Sequence, residues 1–365
     1  MSSELYIGIM SGTSMDGADA VLADFSGNFP RQIATASKVI PSALKDTLIA
    51  LNQPGGNEID RSQQAAIELV NLYGDAVQET LSTANLSAKN IAAIGCHGQT
   101  VRHRPDLGYT VQLNAPALLA ELTDITVVAD FRSRDVAAGG RGAPLVPAFH
   151  AAVFRSATQH RIVVNIGGIA NFTNLPSRGA VTGYDTGPGN IFMDGWISRH
   201  LHRAYDHDGA WARTGHRQAT LLARLLAHPY FARSAPKSTG REDFHLAWLD
   251  EQLLGTQYTP EDVQATLVEF TARTITDEIK RLGVGEKEVF LCGGGAQNYL
   301  LAIRLSQLLP RHRLALTDEL GIATQCVEPL AFAWLARQTI LGLPGNLPDV
   351  TAARHMAILG AIYRA

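Results

Sequence analysis

The chain has 365 residues, 46% of them hydrophobic, and a formal net charge of −3. That is enough apolar material for a large core and, on length, for two domains. The near-balanced charge excludes partners held by bulk charge, such as nucleic acid or an anionic membrane surface. No apolar run reaches the roughly 18 residues of a membrane-crossing helix. The start, MSSELYIGIMSG, lacks the basic and apolar regions of a signal peptide. The three cysteines, Cys96, Cys292 and Cys326, are scattered among apolar residues and glycines, which suits buried free thiols rather than disulfides or zinc ligands. A soluble cytoplasmic protein is expected.

Residues 6–10 and 18–25 are apolar, separated by Ser11, Gly12, Thr13, Ser14, Met15, Asp16 and Gly17. Two apolar runs around a short segment of small polar residues predict a β-hairpin. Gly12 and Gly17 have no Cβ and let a ligand approach the backbone. N–H groups converging in such a turn bind anions, with Ser11, Thr13 and Ser14 as added hydroxyl donors. The turn therefore reads as a phosphate cradle. It is not a Walker loop, which needs Gly-Lys-Ser/Thr before a helix. It is not a dinucleotide fingerprint either, because strand and not helix follows.

Residues 30–60 are mixed, with a Pro-Gly-Gly break at 54–56. From 62 to 81 apolar residues recur at helical steps through Ile67, Leu69, Val70, Tyr73, Val77 and Leu81. A short strand at 91–96 ends in His97, Gly98, Gln99 and Thr100, polar groups where open α/β sheets place ligands. Asn114 is expected to cap a helix over 115–122, with Pro116 in its first turn. A strand at 125–129 runs into Asp130, Phe131, Arg132, Ser133, Arg134 and Asp135 and then a glycine-rich stretch, which reads as a substrate loop. The boundary between two lobes is expected within 136–160.

At 161 the opening pattern recurs: an apolar run to 166, Gly167 and Gly168 as the turn, and a second strand over 169–175. Two such hairpins, one per half, predict a duplicated architecture with a cleft between the halves. A strand at 181–184 leads to Asp185, Thr186, Gly187, Pro188, Gly189 and Asn190, then a helix carrying Ile191, Phe192, Trp196 and Ile197. A carboxylate at that position is placed to work in the cleft. Residues 204–260 read as a variable polar excursion. His202, His207, His216, His228 and His245 lack metal-ligand spacing and read as solvated. A long amphipathic helix is expected over 261–282. A strand at 289–292 precedes Gly293, Gly294 and Gly295, a turn able to lie flat against a purine ring, and then another helix. The helix over 328–340 has Glu328 in its first turn, where it either complements the helix dipole or faces the cleft. The tail is loop, then a last apolar segment at 356–363.

Two half-repeats, each opening with a hairpin, and the late Gly-Gly-Gly turn resemble the sugar kinase, Hsp70 and actin superfamily. Within it, IGIMSGTSMDGADAVLADF (7–25), CHGQTVRHRP (96–105), DFRSRDVAAGGRGAPLVPAFH (130–150), VVNIGGIANFTNL (163–175), GYDTGPGNIFMD (183–194), LCGGGAQN (291–298) and EPLAFAWLA (328–336) resemble, in that order, the anhydro-N-acetylmuramic acid kinases. The resemblance implies an α/β, two-lobed actin-like ATPase fold (ribonuclease H-like, duplicated) with a central cleft. The lobes are expected at 1–140 and 141–365, with a final helix able to cross back. The implied activity takes 1,6-anhydro-N-acetylmuramic acid, water and ATP to N-acetylmuramic acid 6-phosphate and ADP, in cell-wall recycling. Mg²⁺ and a homodimer are implied with it. ATP would lie on Gly12, Thr13, Ser14, Met15, Asp16, Gly17, Ala18 and Asp19, on Gly167 and Gly168, and on Gly293, Gly294 and Gly295. Asp185 matches the family's catalytic aspartate in Asp-Thr-Gly-Pro-Gly-Asn and is the expected base. Glu328 is the second catalytic candidate, orienting the water or holding the sugar. His97, Arg132 and Asn190 are candidates for substrate contacts.

The chain departs from its wider relatives in places. General sugar kinases carry aspartates where Met10 and Asn165 stand here. Mg²⁺ is therefore expected on phosphate oxygens and water, with Asp16 the carboxylate considered and no protein ligand assigned. Arg141 replaces an expected glutamine. Ala352 replaces an expected glycine, which puts the positive φ of that turn in question. Three readings compete: a kinase of another amino sugar on the same scaffold, an ATP-driven binding protein, and a hydrolase using Ser14. The binding protein would need a peptide module or a polymer interface. The hydrolase lacks Gly-x-Ser-x-Gly, because Asp16 takes the second glycine's place.

Overall fold

A computed structural model of the chain describes residues 4–12 and 15–365. In chain order the strands are β1 (Leu5–Ser11), β2 (Gly17–Asp24), β3 (Arg31–Val39), β4 (Ala93–Cys96), β5 (Gln99–Arg104), β6 (Tyr109–Leu113), β7 (Val127–Ala129), β8 (Arg161–Ile166), β9 (Ile169–Leu175), β10 (Thr182–Pro188), β11 (Glu288–Cys292), β12 (Arg313–Leu316) and β13 (Ala361–Tyr363). Helices join them, and the class is α/β with central sheets. Of the two large sheets, one has the order β13-β7-β4-β1-β2-β3 and the other β10-β9-β8-β11-β12, and β5 and β6 form a separate two-stranded sheet. Both follow one plan. Three consecutive antiparallel strands, β1 to β3 or β8 to β10, form one side. Two later strands add in parallel beside the first, β4 and β7 or β11 and β12. The recurrence expected from two hairpins is thus a recurrence of the sheet itself. β8 (RIVVNI) is buried at five consecutive positions, as a strand covered on both faces must be.

The chain divides into two compact units. One contains the described residues of Met1–Val153 together with Cys326–Ala365, and the other is Phe154–Gln325. The break after Val153 falls within the 136–160 expected for the boundary, later than the division at 140, and the return to the first unit begins at Cys326. Two contacts within that unit explain the return. β13 pairs antiparallel with β7, and the helix Val327–Ile340 lies on β1 and β4. Glycine makes the second contact possible. A Cβ on Gly8 would stand 1.8 Å from the Pro329 carbonyl oxygen, and one on Gly95 2.0 Å from that of Phe332. The helix backbone rests directly on the strands.

The helix Glu58–Ala84 buries Leu69, Val70, Tyr73, Val77 and Leu81. Ile67, expected on that stripe, falls off it and is exposed. Asn114 caps nothing: its amide donates to the carbonyl and Sγ of Cys96, and the helix starts at Pro116 without a side-chain cap. The expected substrate loop after β7 is instead the helix Phe131–Ala137. In the second unit, Thr259 caps the helix Pro260–Arg281, with Glu261 and Asp262 in its first turn and Lys280 and Arg281 in its last. That charge order complements the helix dipole. The polar excursion at 204–260 is only partly polar. Tyr230, Phe244 and Leu249 are fully buried. His228 is half-buried among Phe231, Phe244 and Trp248 rather than solvated, and burial lowers its pKa. His202, His207, His216 and His245 are exposed as expected.

Candidate active site

In the first unit, the β1–β2 hairpin closes with Ser11 opposite Ala18. Thr13 and Ser14 lie outside the described residues. Met15 takes φ 55° and its N–H donates to the Gly12 carbonyl at 3.1 Å, which folds the turn back on itself. The side chains of Met15 and Ala18 belong to the core, so only their backbone is available to a ligand. The Ser11 hydroxyl also points inward, 2.8 Å from the Tyr73 hydroxyl, and is not the donor the sequence suggested. Asp16 is exposed and accepts from Lys45 Nζ at 2.6 Å. Asp19 is exposed on β2, opposite Met10 and Ser37.

His97 follows β4 and is buried. Its Nε2 accepts from Arg132 Nε at 2.9 Å. Burial first, and the Arg132 charge second, hold its pKa well below the usual imidazole range. The ring is therefore neutral, with its proton on Nδ1. The same two causes lower His103 to about 4. The His97 ring packs on Phe332 at 4.7 Å. Glu328 lies one turn before Phe332 on the same helix, so the two share a face. Arg132 also donates to the Gly142 carbonyl at 2.7 Å. Asp135, one turn along, is fully buried and accepts from the Gly142 N–H, Asn346 Nδ2 and Thr351 Oγ1, each at 2.7 Å. The fold thus gathers His97, Arg132 and the Glu328 helix, and Asp135 ties the glycine-rich stretch beside them to the tail. Ala352, in that tail, takes φ 63°. The left-handed turn is kept, with alanine in place of glycine.

In the second unit, the Gly167–Gly168 turn joins β8 to β9. Its carbonyls accept the N–H groups of Gly189, Asn190 and Ile191, which fastens the start of the helix Ile191–Leu201 to the turn. The glycine triplet after β11 packs against this assembly. A Cβ on Gly293 would meet Asn165 Oδ1 at 2.3 Å, and one on Gly295 would meet Ile166 Cγ2 at 2.3 Å and Asn190 Oδ1 at 2.6 Å. Only Gly294 is exposed, with nothing nearer than Asn190 Nδ2 at 3.8 Å. So two of the three glycines serve protein packing, and Gly294 alone offers an open backbone surface.

Asp185 does not end its strand. β10 continues to Pro188 with a bulge between Asp185 and Gly187, on the edge of the sheet. Bulges re-aim side chains next to active sites. The carboxylate is half-exposed, and its Oδ2 accepts the Thr239 N–H at 3.0 Å. The Tyr230 hydroxyl donates to the Asp185 carbonyl at 2.6 Å. Burial and the Asp185 charge raise the Tyr230 pKa, so the phenol stays a donor. Thr239 and Tyr230 lie in the stretch that sequence reading set aside as polar excursion. Its buried aromatics were the available signal. The three cysteines are buried thiols outside any disulfide. No helix among the described residues is long and apolar enough to cross a membrane. No group of three or more His, Cys, Asp or Glu able to hold a metal occurs among the described residues.

The fold and site define a class: a duplicated α/β protein with a glycine-turned hairpin in each unit and a carboxylate held on an edge-strand bulge. A family model described as anhydro-N-acetylmuramic acid kinase matches residues 4–365. The anhydro-N-acetylmuramic acid kinase of Cupriavidus pinatubonensis is 52% identical over 98% of this chain and 98% of its own length. That of Nitrosomonas europaea is 51% identical over 99% of both. Among solved structures, the (R)-2-hydroxyglutaryl-CoA dehydratase component A of Acidaminococcus fermentans covers 91% of this chain and 96% of its own, at 16% identity and TM-score 0.49. The chain belongs to the anhydro-N-acetylmuramic acid kinase family.

Proposed function

We propose that Asp185 is the base that activates water in this kinase. The reaction is ATP-dependent opening and phosphorylation of 1,6-anhydro-N-acetylmuramic acid to N-acetylmuramic acid 6-phosphate and ADP, part of peptidoglycan recycling. In the substrate the 6-oxygen is tied into a bridge to the anomeric carbon and is a poor phosphoryl acceptor. Asp185 takes a proton from water as the water oxygen bonds to the anomeric carbon. The bond from that carbon to the bridging 6-oxygen breaks. Its electron pair stays on the 6-oxygen, which attacks the γ-phosphorus, and the γ-phosphorus separates from ADP. The observation that carries this reading is the Asp185 carboxylate: half-exposed, with Oδ2 held by the Thr239 N–H at 3.0 Å. General base catalysis of this kind contributes about 10²–10⁴-fold.

Positioning and charge neutralisation supply the rest. The backbone of Gly12, Met15, Asp16, Gly17, Ala18 and Asp19, with Thr13 and Ser14, and the turns at Gly167, Gly168 and Gly294 take the nucleotide. Gly293 and Gly295 support Gly294 from behind. Arg132, oriented by neutral His97, contacts the sugar, as does Asn190. Glu328 orients the water or holds the sugar. Mg²⁺ is read as bound mostly through phosphate oxygens and water, with Asp16, which accepts from Lys45, the carboxylate of the turn considered and no protein ligand assigned. Bound there, Mg²⁺ would neutralise charge on the phosphates. The repeated sheet order supports placing the two units in the actin-like ATPase superfamily. The homodimer and the cytoplasmic setting rest on the family resemblance.

The test is an ADP-release assay with 1,6-anhydro-N-acetylmuramic acid in ¹⁸O-water. One ADP per sugar, with label in the anomeric hydroxyl, is the expected result. Release only with ordinary N-acetylmuramic acid or N-acetylglucosamine would refute the water-attack mechanism.

A further inference from the structure

Lys237 lies in the segment PKSTG (236–240), which sequence reading passed over. It is 4% exposed. Lysine is almost never fully buried unless paired, because desolvating an ammonium is costly. Its Nζ donates to Glu278 Oε1 at 2.8 Å. It also stands 5.5 Å from the Tyr184 ring centre and 4.9 Å from that of Tyr230. Glu278 belongs to the helix Pro260–Arg281. Besides Lys237 it accepts from the Tyr184 hydroxyl at 2.9 Å and from Arg281 at 2.8 Å. Two cations therefore share one buried carboxylate.

Every group that Lys237 touches leads to Asp185. Tyr184 precedes Asp185 on β10, so its side chain leaves by the opposite face, where Glu278 holds it. The Tyr230 hydroxyl donates to the Asp185 carbonyl. Thr239, two residues after Lys237, gives its N–H to the Asp185 carboxylate. The ammonium thus pins the 236–240 segment to the helix and keeps that N–H on Oδ2. A hydrophobic residue would fill the volume but could not grip Glu278.

We infer that Lys237, through Glu278, is a positioning residue for Asp185: it fixes the segment whose backbone N–H orients the carboxylate for water attack. The inference rests on the reading of Asp185 as the base.

The experiment measures kcat and both KM values by ADP release for Lys237→Met, Asp185→Asn and the double variant. A misplacement of about 1 Å costs up to about 10²-fold, so Lys237→Met should lower kcat about 10- to 100-fold. The KM values for sugar and ATP should move by less than about threefold, because positioning the base acts on the chemical step. In the Asp185→Asn background the second substitution should cost nothing further, since the positioned group is already gone. Wild-type kcat in folded Lys237→Met overturns the inference. So does an equal loss in both backgrounds, which would mean a general effect on the fold. Should Lys237→Met fail to fold, Glu278→Gln removes the charge that grips Lys237 at the same side-chain size and is measured in the same two backgrounds, with the same outcomes deciding. Near wild-type turnover in Asp185→Asn alone would instead remove the reading of the base, so the two failures are distinguishable.

Discussion

Gly95→Ala tests how the Glu328 helix is held. A Cβ at Gly95 would lie 2.0 Å from the Phe332 carbonyl oxygen, 2.7 Å from its carbonyl carbon and 3.0 Å from Ala336 Cβ. Carbon–oxygen contacts settle at about 3.3 Å, so the helix and β4 must part by about 1.3 Å. Neither moves freely. β4 is paired on both edges, with β1 and β7, and the helix buries Leu330, Phe332, Ala333 and Leu335. Overpacking a core costs about 1–3 kcal/mol, and backbone against backbone belongs at the upper end, about 3 kcal/mol. With a urea m-value of about 3 kcal/mol/M, the unfolding midpoint should fall by about 1 M. Far-UV circular dichroism during urea titration reads this directly. Gly56→Ala is the control, because nothing lies within 4 Å of a Cβ there. A Gly95→Ala midpoint within about 0.2 M of the parent would refute the reasoning. It would mean that the helix can retreat without loss.

Asp185→Asn keeps the side chain's size and an oxygen that can accept the Thr239 N–H, so sugar and ATP KM values should hold while kcat falls about 10²–10⁴-fold. Steady-state ADP release decides it, and near wild-type kcat would rule out Asp185 as the base. A second prediction concerns acid stability. Glu269 is buried among Arg217, Arg273 and Arg304. Burial alone would raise its pKa, but hydrogen bonds from Arg304 and Arg273 and the arginine charges outweigh it and hold the carboxyl at about 2, against 4.5. The folded value is below the unfolded one, so the stability it confers is present above about pH 4.5 and is lost as pH falls through about 2. Discounted for solvent at the arginine ends, this is about 2 kcal/mol. Glu269→Gln should therefore be less stable than wild type by about that amount near pH 6 and about equal to it near pH 2. An identical difference at both pH values would contradict the assigned cause.

Much of the plan could be read from local pattern. The apolar runs flanking Ser11–Gly17 and Gly167–Gly168 became hairpins because turn chemistry and alternation act within a few residues. The helices at 58–84, 260–281 and 327–340 were found from their spacing, to within a few residues at most ends. Misreadings arose where a side chain had a distant choice. Asn114 reaches the end of β4 instead of capping its neighbour. Ser11 turns to Tyr73, 62 residues away, instead of to a phosphate. Gly293 and Gly295 are glycines because Asn165, Ile166 and Asn190 occupy the space a Cβ would need.

The sequence by itself determined the family, the two glycine-turned hairpins and the identity of the candidate base, because motifs and hydrophobic periods are properties of neighbouring residues. Only the tertiary structure decided that the chain returns to its first unit at Cys326. Only it showed that Asp185 is oriented by a backbone N–H 54 residues away, and that a buried lysine stands behind that N–H. No periodicity encodes such contacts. They exist because burial cuts groups such as the Lys237 ammonium off from solvent, and each must find whichever partner the packed chain brings within reach.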